Sequence, residues 1–291
     1  MKLLICVSGL PFAEPTIKFG NLVAALSASE VTLLTVVDRS QEKSDASAML
    51  AEAQDLVNAP IDAIKVRQGQ SAEEIVEEAC SGGYDMIVVG ARVMSSFTQL
   101  LLRSVTHRVM EKAPISVLVV KEERPSLNNI LICTGGQKLN QVVIERGAQL
   151  AKAANARVKL LYVAAPVPGM YSGLDDMDET LPELLQSNTP IAQHLRWAAH
   201  YLAEQGVLGQ IKVRRGVVSE EILREASGNP YDLIVIGARA ESSLLNELFM
   251  EKVTPSVVEH VTTSILVVRG EAQPLGDVND VDQDGTAVTE T

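Results

Sequence analysis

Aromatic residues are scarce in this chain of 291 residues, at 3% of the total, whereas hydrophobic residues as a group make up 46%. Val, Leu, Ile and Ala must therefore fill the core, as they do in parallel β-sheets that are covered on both faces. Charged residues contribute a further 21%. This balance is typical of a globular protein and excludes a largely disordered chain.

Cysteine and positive charge are also in short supply. The three cysteines, Cys6, Cys80 and Cys133, are odd in number and form no CxxC pair. That excludes a disulfide framework and argues against a zinc site. The 25 basic residues are outnumbered by 37 acidic ones, for a net charge of −12. A surface of this sign disfavours nucleic acids and anionic membranes as partners.

Long hydrophobic runs are missing as well. No run approaches 18 apolar residues, the length from which a membrane-spanning helix is expected. The first residues, MKLLICVSGLPF, include a short apolar run without a small-residue cleavage site after it. We interpret this run as a first β-strand rather than a secretion signal, and we expect a cytoplasmic protein.

An internal repeat divides the chain into two halves. YDMIVVGAR at residues 84–92 matches YDLIVIGAR at residues 231–239 in seven of nine positions. VRQG at residues 66–69 returns as VRRG at residues 213–216, at the same spacing of 147 residues. Matches of this kind in the same order indicate a duplicated domain.

The repeat sets the expected domain boundaries. We predict a first domain at residues 1–124 and a second domain at residues 125–270. The second half is about twenty residues longer, and we place its insertion near residues 164–189. Residues 271–291 carry six acidic residues and no Lys or Arg, which predicts a disordered acidic tail.

Each half alternates apolar, strand-like runs with helical patterns, which predicts βαβ crossovers and a parallel sheet. The predicted strands lie at residues 2–7, 31–37, 61–66, 86–89 and 116–120, and again at 129–134, 157–163, 210–213, 233–236 and 264–268. The predicted helices of the first half lie at residues 14–27, 47–58, 72–80 and 97–112. Ser71, with Glu74 three residues on, predicts a capping box, and Ser219 predicts a similar helix start.

Ligands of open parallel sheets bind beyond the carboxyl ends of the strands, where the strand order reverses. Three loops in each half meet this description. They contain Ser8 and Gly9, Asp38 and Arg39, and Gly90 to Arg92 in the first half, and Gly135 and Gly136, Ala164 and Ala165, and Gly237 to Arg239 in the second. A glycine at Gly90 or Gly237 permits positive φ or a close approach of a ligand, and a tight turn without a ligand fits equally well.

The order of these segments resembles the universal stress protein (UspA-like) family in both halves, over nearly all of residues 1–270. SVTHRVMEKAPISVLVV at residues 104–120 is especially similar to the closing helix and strand of the family. The resemblance implies an α/β fold of two tandem doubly wound five-stranded parallel-sheet domains, adenine nucleotide alpha hydrolase-like, with strand order 3-2-1-4-5. Family members commonly dimerise through the last strand. The resemblance therefore implies that the two halves pair through the strand from Val117 to Val120 and through Ile265 to Val268, and two such chains could pair further.

Many members of the family bind ATP through G-x2-G-x9-G-[S/T] after the fourth strand and an Asp after the first. Backbone N–H groups of such a loop wrap phosphates. The resemblance places the nucleotide-binding candidates of this chain at Ser8, Gly9, Val37, Gly90, Arg92, Arg103, Ser104, Gly135, Gly136, Gly237 and Arg239.

The motif is incomplete in the first half and more so in the second. In the first half Val93 and Arg103 replace two of the glycines, and Ser8 stands at the position of the Asp. Val93 disfavours positive φ, whereas Arg103 could supply charge to a phosphate. In the second half Ala240 replaces a glycine, Glu251 would repel phosphate, and Gly135 stands at the position of the Asp.

We therefore expect a non-catalytic, stress-related binding or regulatory protein, a fused pseudo-dimer with degenerate ATP motifs. One alternative is an ATP-binding protein with slow ATP hydrolysis in the first domain. Another is a small-ligand sensor that uses the insertion of the second domain as a lid. No cofactor other than ATP in the first domain is expected. The four histidines, His107, His194, His200 and His260, are scattered, and we expect no metal site.

Overall fold

The strands of the protein form one continuous ten-stranded sheet in the computed structural model. The structure describes residues 1–38, 43–91, 105–135, 141–164, 181–238 and 253–270. Within these residues no helix is both long and apolar enough to cross a membrane.

The first half contributes five strands and four helices to the described residues. They are β1 (Lys2–Cys6), α1 (Glu14–Leu26), β2 (Glu30–Val37), α2 (Lys43–Gln54), β3 (Ile61–Gln68), α3 (Ser71–Ser81), β4 (Met86–Gly90), α4 (residues 105–112) and β5 (Ser116–Val120).

The second half repeats this order with one additional short helix. Its elements are β6 (Asn129–Thr134), α5 (Gln141–Ala154), β7 (Arg157–Ala164), α6 (Leu181–Gln186), α7 (Pro190–Glu204), β8 (Gly209–Arg215), α8 (Val218–Gly228), β9 (Leu233–Gly237), α9 (Val253–His260) and β10 (Ile265–Val268). All ten predicted strands are confirmed to within two residues at each end.

The strand order is β3-β2-β1-β4-β5-β10-β9-β6-β7-β8, and neighbours within each half are parallel. Each half thus has the order 3-2-1-4-5 when its own strands are counted, as predicted. The order reverses between β1 and β4 in the first half and between β6 and β9 in the second.

The two halves meet through their last strands. β5 and β10 pair antiparallel, with Val119 opposite Ile265 and Val117 opposite Val267. Antiparallel pairing of equivalent strands is the arrangement that a two-fold axis produces in a homodimer. The expected pairing of the two halves within one chain is confirmed.

Helices cover both faces of the sheet, because side chains of a strand alternate between its two faces. Leu3 and Ile5 of β1 belong to the core beneath α1, α2, α5 and α7. Leu4 belongs to the opposite core, beneath α3, α4, α8 and α9. Aliphatic side chains fill both cores, as the scarcity of aromatic residues required.

Helix starts differ from the expectation. Helix α3 begins at Ser71 itself, after Gln70, and its start has no side-chain capping hydrogen bond. Glu74 instead accepts a 2.7 Å hydrogen bond from Arg67 Nε on β3, so the predicted capping box is wrong. Helix α8 likewise begins at Val218, before Ser219, without a side-chain cap. The boundaries of the two domains stay predictions.

Candidate functional site

Four of the predicted site residues lie together at the carboxyl edge of the first half. Cys6 of β1 lies opposite Leu34 of β2, and Ile5 lies opposite Val88 of β4. This register brings Ser8 and Gly9, after β1, to the same edge as Val37 and Gly90, which end β2 and β4. Ser8 is exposed, whereas Val37 is buried.

The turn after β1 requires a glycine. Gly9 has φ of +130°, a conformation that L-residues with a side chain rarely adopt, and a Cβ there would meet no atom within 4 Å. The main-chain oxygen of Gly9 accepts a 2.8 Å hydrogen bond from the Ala13 amide, which leads the chain into α1. Among the described residues, the turn at Gly9 is thus open and Ser8 beside it is exposed.

Gly90 has a packing role in the structure. It is not among the glycines with positive φ. A Cβ at this position would lie 2.5 Å from Thr16 Oγ1, in the first turn of α1. Its carbonyl accepts a 3.0 Å hydrogen bond from Thr106 Oγ1 of α4. Gly90 therefore lets α1 pack closely onto the end of β4, and its role in ligand binding stays a prediction.

The second half repeats only part of this arrangement. Thr254 Oγ1 of α9 donates to the carbonyl of Gly237 at 3.0 Å, as Thr106 does to Gly90. Gly135 is exposed directly after β6. Several predicted residues lie outside the described part of the chain: Arg92, Val93, Arg103, Ser104, Gly136, Arg239, Ala240 and Glu251. Most of the proposed lid (residues 165–180) and the acidic tail also lie outside it.

A buried histidine lies at the carboxyl edge of the second half. Nε2 of His194, on α7, shares a 2.8 Å hydrogen bond with Oγ1 of Thr134, the last residue of β6. Thr134 is 6% exposed and His194 is 8% exposed. Val7 occupies the position of Thr134 in the first half, since Leu3 and Ile130 hold the same register against β4 and β9.

Aromatic stacking holds the imidazole in this position. Trp197 stacks on His194 at 5.9 Å between ring centroids, and Tyr201 stacks on Trp197 at 5.4 Å. Burial lowers the pKa of His194, so the ring is kept neutral. A neutral imidazole can both donate and accept a hydrogen bond, but here Thr134 already engages Nε2.

Sequence reasoning missed His194, although a signal was present. His194 precedes the buried residues Ala198 and Leu202 by four and eight positions. That spacing places all three side chains on one face of a helix. Only the fold reveals that this face meets Thr134, because the two residues are 60 positions apart.

The cysteines contribute no nucleophile at this edge. Burial raises the pKa of Cys133, on β6, to about 12. Burial likewise raises the pKa of Cys6 at the end of β1. Both thiols are therefore protonated at neutral pH and behave as small apolar groups.

A duplicated ion cluster joins helix α3 to the sheet in the first half and helix α8 to the sheet in the second. In the first half Glu78 accepts hydrogen bonds from Lys65 (2.6 Å), Arg67 (3.0 Å) and Tyr84 (2.9 Å). The equivalents in the second half, each 147 residues later, are Glu225, Lys212, Arg214 and Tyr231. Every buried carboxylate oxygen has cationic or hydroxyl partners, so we interpret the cluster as structural rather than catalytic.

Comparison with proteins of known structure supports the fold. A universal stress protein from Archaeoglobus fulgidus has 16% sequence identity and a TM-score of 0.66, over 92% of this chain and 96% of that chain. A functionally unknown protein from Pseudomonas aeruginosa has 17% identity and a TM-score of 0.67, over 92% of both chains. Both agree with the tandem α/β arrangement described above.

Sequence comparison gives the family. A universal stress protein from Thermus aquaticus, encoded beside a QAH/OAS sulfhydrylase, is 35% identical over 71 residues, which are 24% of this chain and 52% of that protein. The match thus spans only about half of that relative. The model of the universal stress protein family matches residues 1–121 and again residues 126–269. Since these two matches cover nearly the whole described chain, the protein belongs to the universal stress protein family.

Proposed function

We propose that this chain is a non-catalytic, stress-related binding or regulatory protein of the cytoplasm. It would be a fused pseudo-dimer whose second half does not bind ATP. The second half would serve as a fixed partner for the first, in place of the second subunit of a homodimer. The broken glycine motifs and the missing Asp at Ser8 and Gly135 support the proposal from the sequence.

The contact between His194 and Thr134 carries the proposal. Thr134 ends β6, one of the two strands between which the order reverses, and this pair already satisfies its own hydrogen bond at 2.8 Å. Trp197 stacks on the imidazole and adds packing that opening the site would also disturb. Opening the site would break this buried hydrogen bond, which costs free energy that a ligand would have to offset.

Equilibrium dialysis with ATP and Mg²⁺ tests this proposal. We expect no stoichiometric binding at micromolar concentration in the second half. The double variant Arg103→Ala and Ser104→Ala removes candidate contacts from the first half, so any ATP it still binds reports on the second. Micromolar binding of two ATP molecules by the unmodified chain would contradict the degenerate-site proposal.

A second candidate function is ATP binding, with slow hydrolysis, by the first half alone. Three observations favour it: Ser8 is exposed, the turn at Gly9 is open, and Val7 replaces the threonine that engages His194 in the other half. Arg92, Arg103 and Ser104 would contact the phosphates.

The same dialysis separates the two candidates. Binding of one ATP by the unmodified chain that weakens at least tenfold in the Arg103→Ala and Ser104→Ala variant supports the second candidate. Unchanged affinity in that variant would exclude this assignment of contacts. His107→Ala, an exposed change on α4, is the control for a general effect of substitution close to these positions in the chain.

A further inference from the structure

A cavity of about 220 Å³ lies at the junction of the two halves, on the face covered by α1 and α5. Its floor consists of Met86 at the start of β4, Leu150 of α5 and Leu266 of β10, which are all buried. Both halves therefore contribute to its wall. An apolar cavity of about 150 Å³ is large enough to bind benzene, so this one can hold a single ring with a small substituent.

One cation lies at the rim of this cavity. Arg146, on α5, is partly buried and lines the opening together with Gln149 and the end of α1 at Leu26. Within the described residues, its Nη1 donates long hydrogen bonds alone, to Gln149 Oε1 at 3.4 Å and to the Met1 sulfur at 3.9 Å. Arg146 has no ion pair with a carboxylate in the part of the chain that the structure describes.

The fold itself does not require a charge at this position. Gly20 of α1 and Gly147 of α5 are equivalent. A Cβ at Gly20 would clash with Ile5 of β1, and a Cβ at Gly147 would clash with Ile132 of β6. That alignment puts Phe19 in the place of Arg146, and Phe19 is fully buried. The arginine is thus specific to the second half, and it lies beside the cavity.

We propose that this junction cavity binds a small organic monocarboxylate with an apolar body about the size of a benzene ring. The ring would lie against Met86, Leu150 and Leu266, and the carboxylate would accept hydrogen bonds from the guanidinium of Arg146. Arginine suits this role because its planar group can engage both oxygens of a carboxylate. The site lies on a different surface from the loops at the carboxyl edge and does not depend on the function proposed for them.

Benzoate is the probe, added to full-length protein that carries ¹³C-methyl methionine. The chain has eight methionines, of which Met86 and Met1 line the cavity and the others serve as internal references. We expect benzoate to shift the Met86 methyl signal, assigned through Met86→Leu, with a Kd of about 1 mM or tighter. Benzyl alcohol, which lacks the charge, should bind more weakly.

Two variants separate recognition of the carboxylate from general effects. Arg146→Gln should weaken benzoate about tenfold and leave benzyl alcohol unchanged, because only the charged hydrogen bonds are lost. Arg157→Gln removes the same charge from an exposed position at the start of β7 and should not change the affinity for either ligand.

A second pair of variants tests the cavity itself. Leu150→Phe should fill the cavity and abolish the shift of the Met86 signal with both ligands, while Gln149→Ala at the rim should retain it.

The proposal is overturned if benzoate at millimolar concentration leaves the Met86 signal unmoved in the unmodified protein. Equal losses in Arg146→Gln and Arg157→Gln would also overturn it, since they would indicate attraction to overall charge alone. A third contrary result is a benzyl alcohol affinity equal to that of benzoate. ATP binding is measured separately, so its absence has no bearing on these outcomes.

Discussion

Nη2 of Arg269, directly after the last strand, donates a 2.6 Å hydrogen bond to the main-chain oxygen of Met110 in the other half. The arrangement is reciprocal. Lys121, directly after β5, donates from Nζ to the main-chain oxygen of Val258 at 2.8 Å. Each half thus satisfies a free carbonyl at the end of a helix in the other half, where a cation also complements the helix dipole.

These reciprocal contacts should contribute to the stability of the junction. We expect Arg269→Ala and Lys121→Ala each to lower the free energy of unfolding by about 1–2 kcal/mol, because a charged hydrogen bond is lost and a carbonyl is left without a partner. Urea denaturation followed by circular dichroism measures the change. Arg157→Ala, at an exposed position, is the control, and a loss there as large as in Arg269→Ala would contradict the prediction.

The ion cluster of the second half predicts a dependence of stability on pH. Burial alone would raise the pKa of Glu225, but hydrogen bonds from Lys212, Arg214 and Tyr231 outweigh it and lower the pKa to about 2. The folded state then holds the carboxylate ionised where the unfolded chain, with a pKa near 4.3, takes up a proton. The contribution is complete above about pH 5 and is lost as the pH falls towards 2; it amounts to about 3 kcal/mol.

Glu225→Gln tests this dependence by urea denaturation between pH 7 and pH 3. At pH 7 the variant should be less stable by about 3 kcal/mol, since its cationic partners lose their counter-charge while buried. The difference from the unmodified protein should narrow below pH 5. Glu220→Gln, an exposed change on the same helix, should show neither effect. A difference that stays constant with pH would exclude the ionised carboxylate as its cause.

The buried His194 predicts a second dependence, in a higher pH range. Because burial lowers its pKa, the unfolded chain binds a proton below about pH 6.5 that the folded protein does not bind. The free energy of unfolding should therefore fall as the pH decreases from 7 towards 5.

Replacement by a neutral side chain removes this response. His194→Gln keeps a group that can bond Thr134 but cannot be protonated, so its stability should be nearly constant between pH 7 and pH 5. His200→Gln, on the same helix, changes an exposed histidine and should retain the slope of the unmodified protein. If the slope survives in His194→Gln but disappears in His200→Gln, the response comes from His200 and the prediction for His194 is wrong.

The fold could be predicted from the sequence because its signals are local and repeated. Parallel strands covered on both faces appear as short apolar runs, and each of the five runs of the first half returns in related form in the second. The resemblance to the universal stress protein family implied the pairing of β5 with β10, which the structure confirms. The prediction of a capping box failed because Glu74 could either cap its own helix or bind a cation on another element. The structure shows the second, with Arg67 of β3.

The candidate site was harder to predict, since its contacts join residues distant in the chain. The predicted loops do lie at the carboxyl edge, because their position follows from topology, and ligand binding there stays a prediction. It could not predict that His194 occupies that edge in the second half. Nor could it decide between packing and ligand binding at Gly90, a choice that depends on how closely Thr16 approaches.

Substitution of Gly90 distinguishes packing from ligand binding at this position. If packing alone explains the glycine, Gly90→Ala should destabilise the protein by about 1–3 kcal/mol, because the new methyl group would lie 2.5 Å from Thr16 Oγ1. Adding Thr16→Ala removes the oxygen and should recover most of that loss. Gly228→Ala is the control: a Cβ there meets no atom within 4 Å, so little change is expected. If Gly90→Ala leaves stability unchanged and instead weakens ATP binding, the glycine serves a ligand and the packing explanation is wrong.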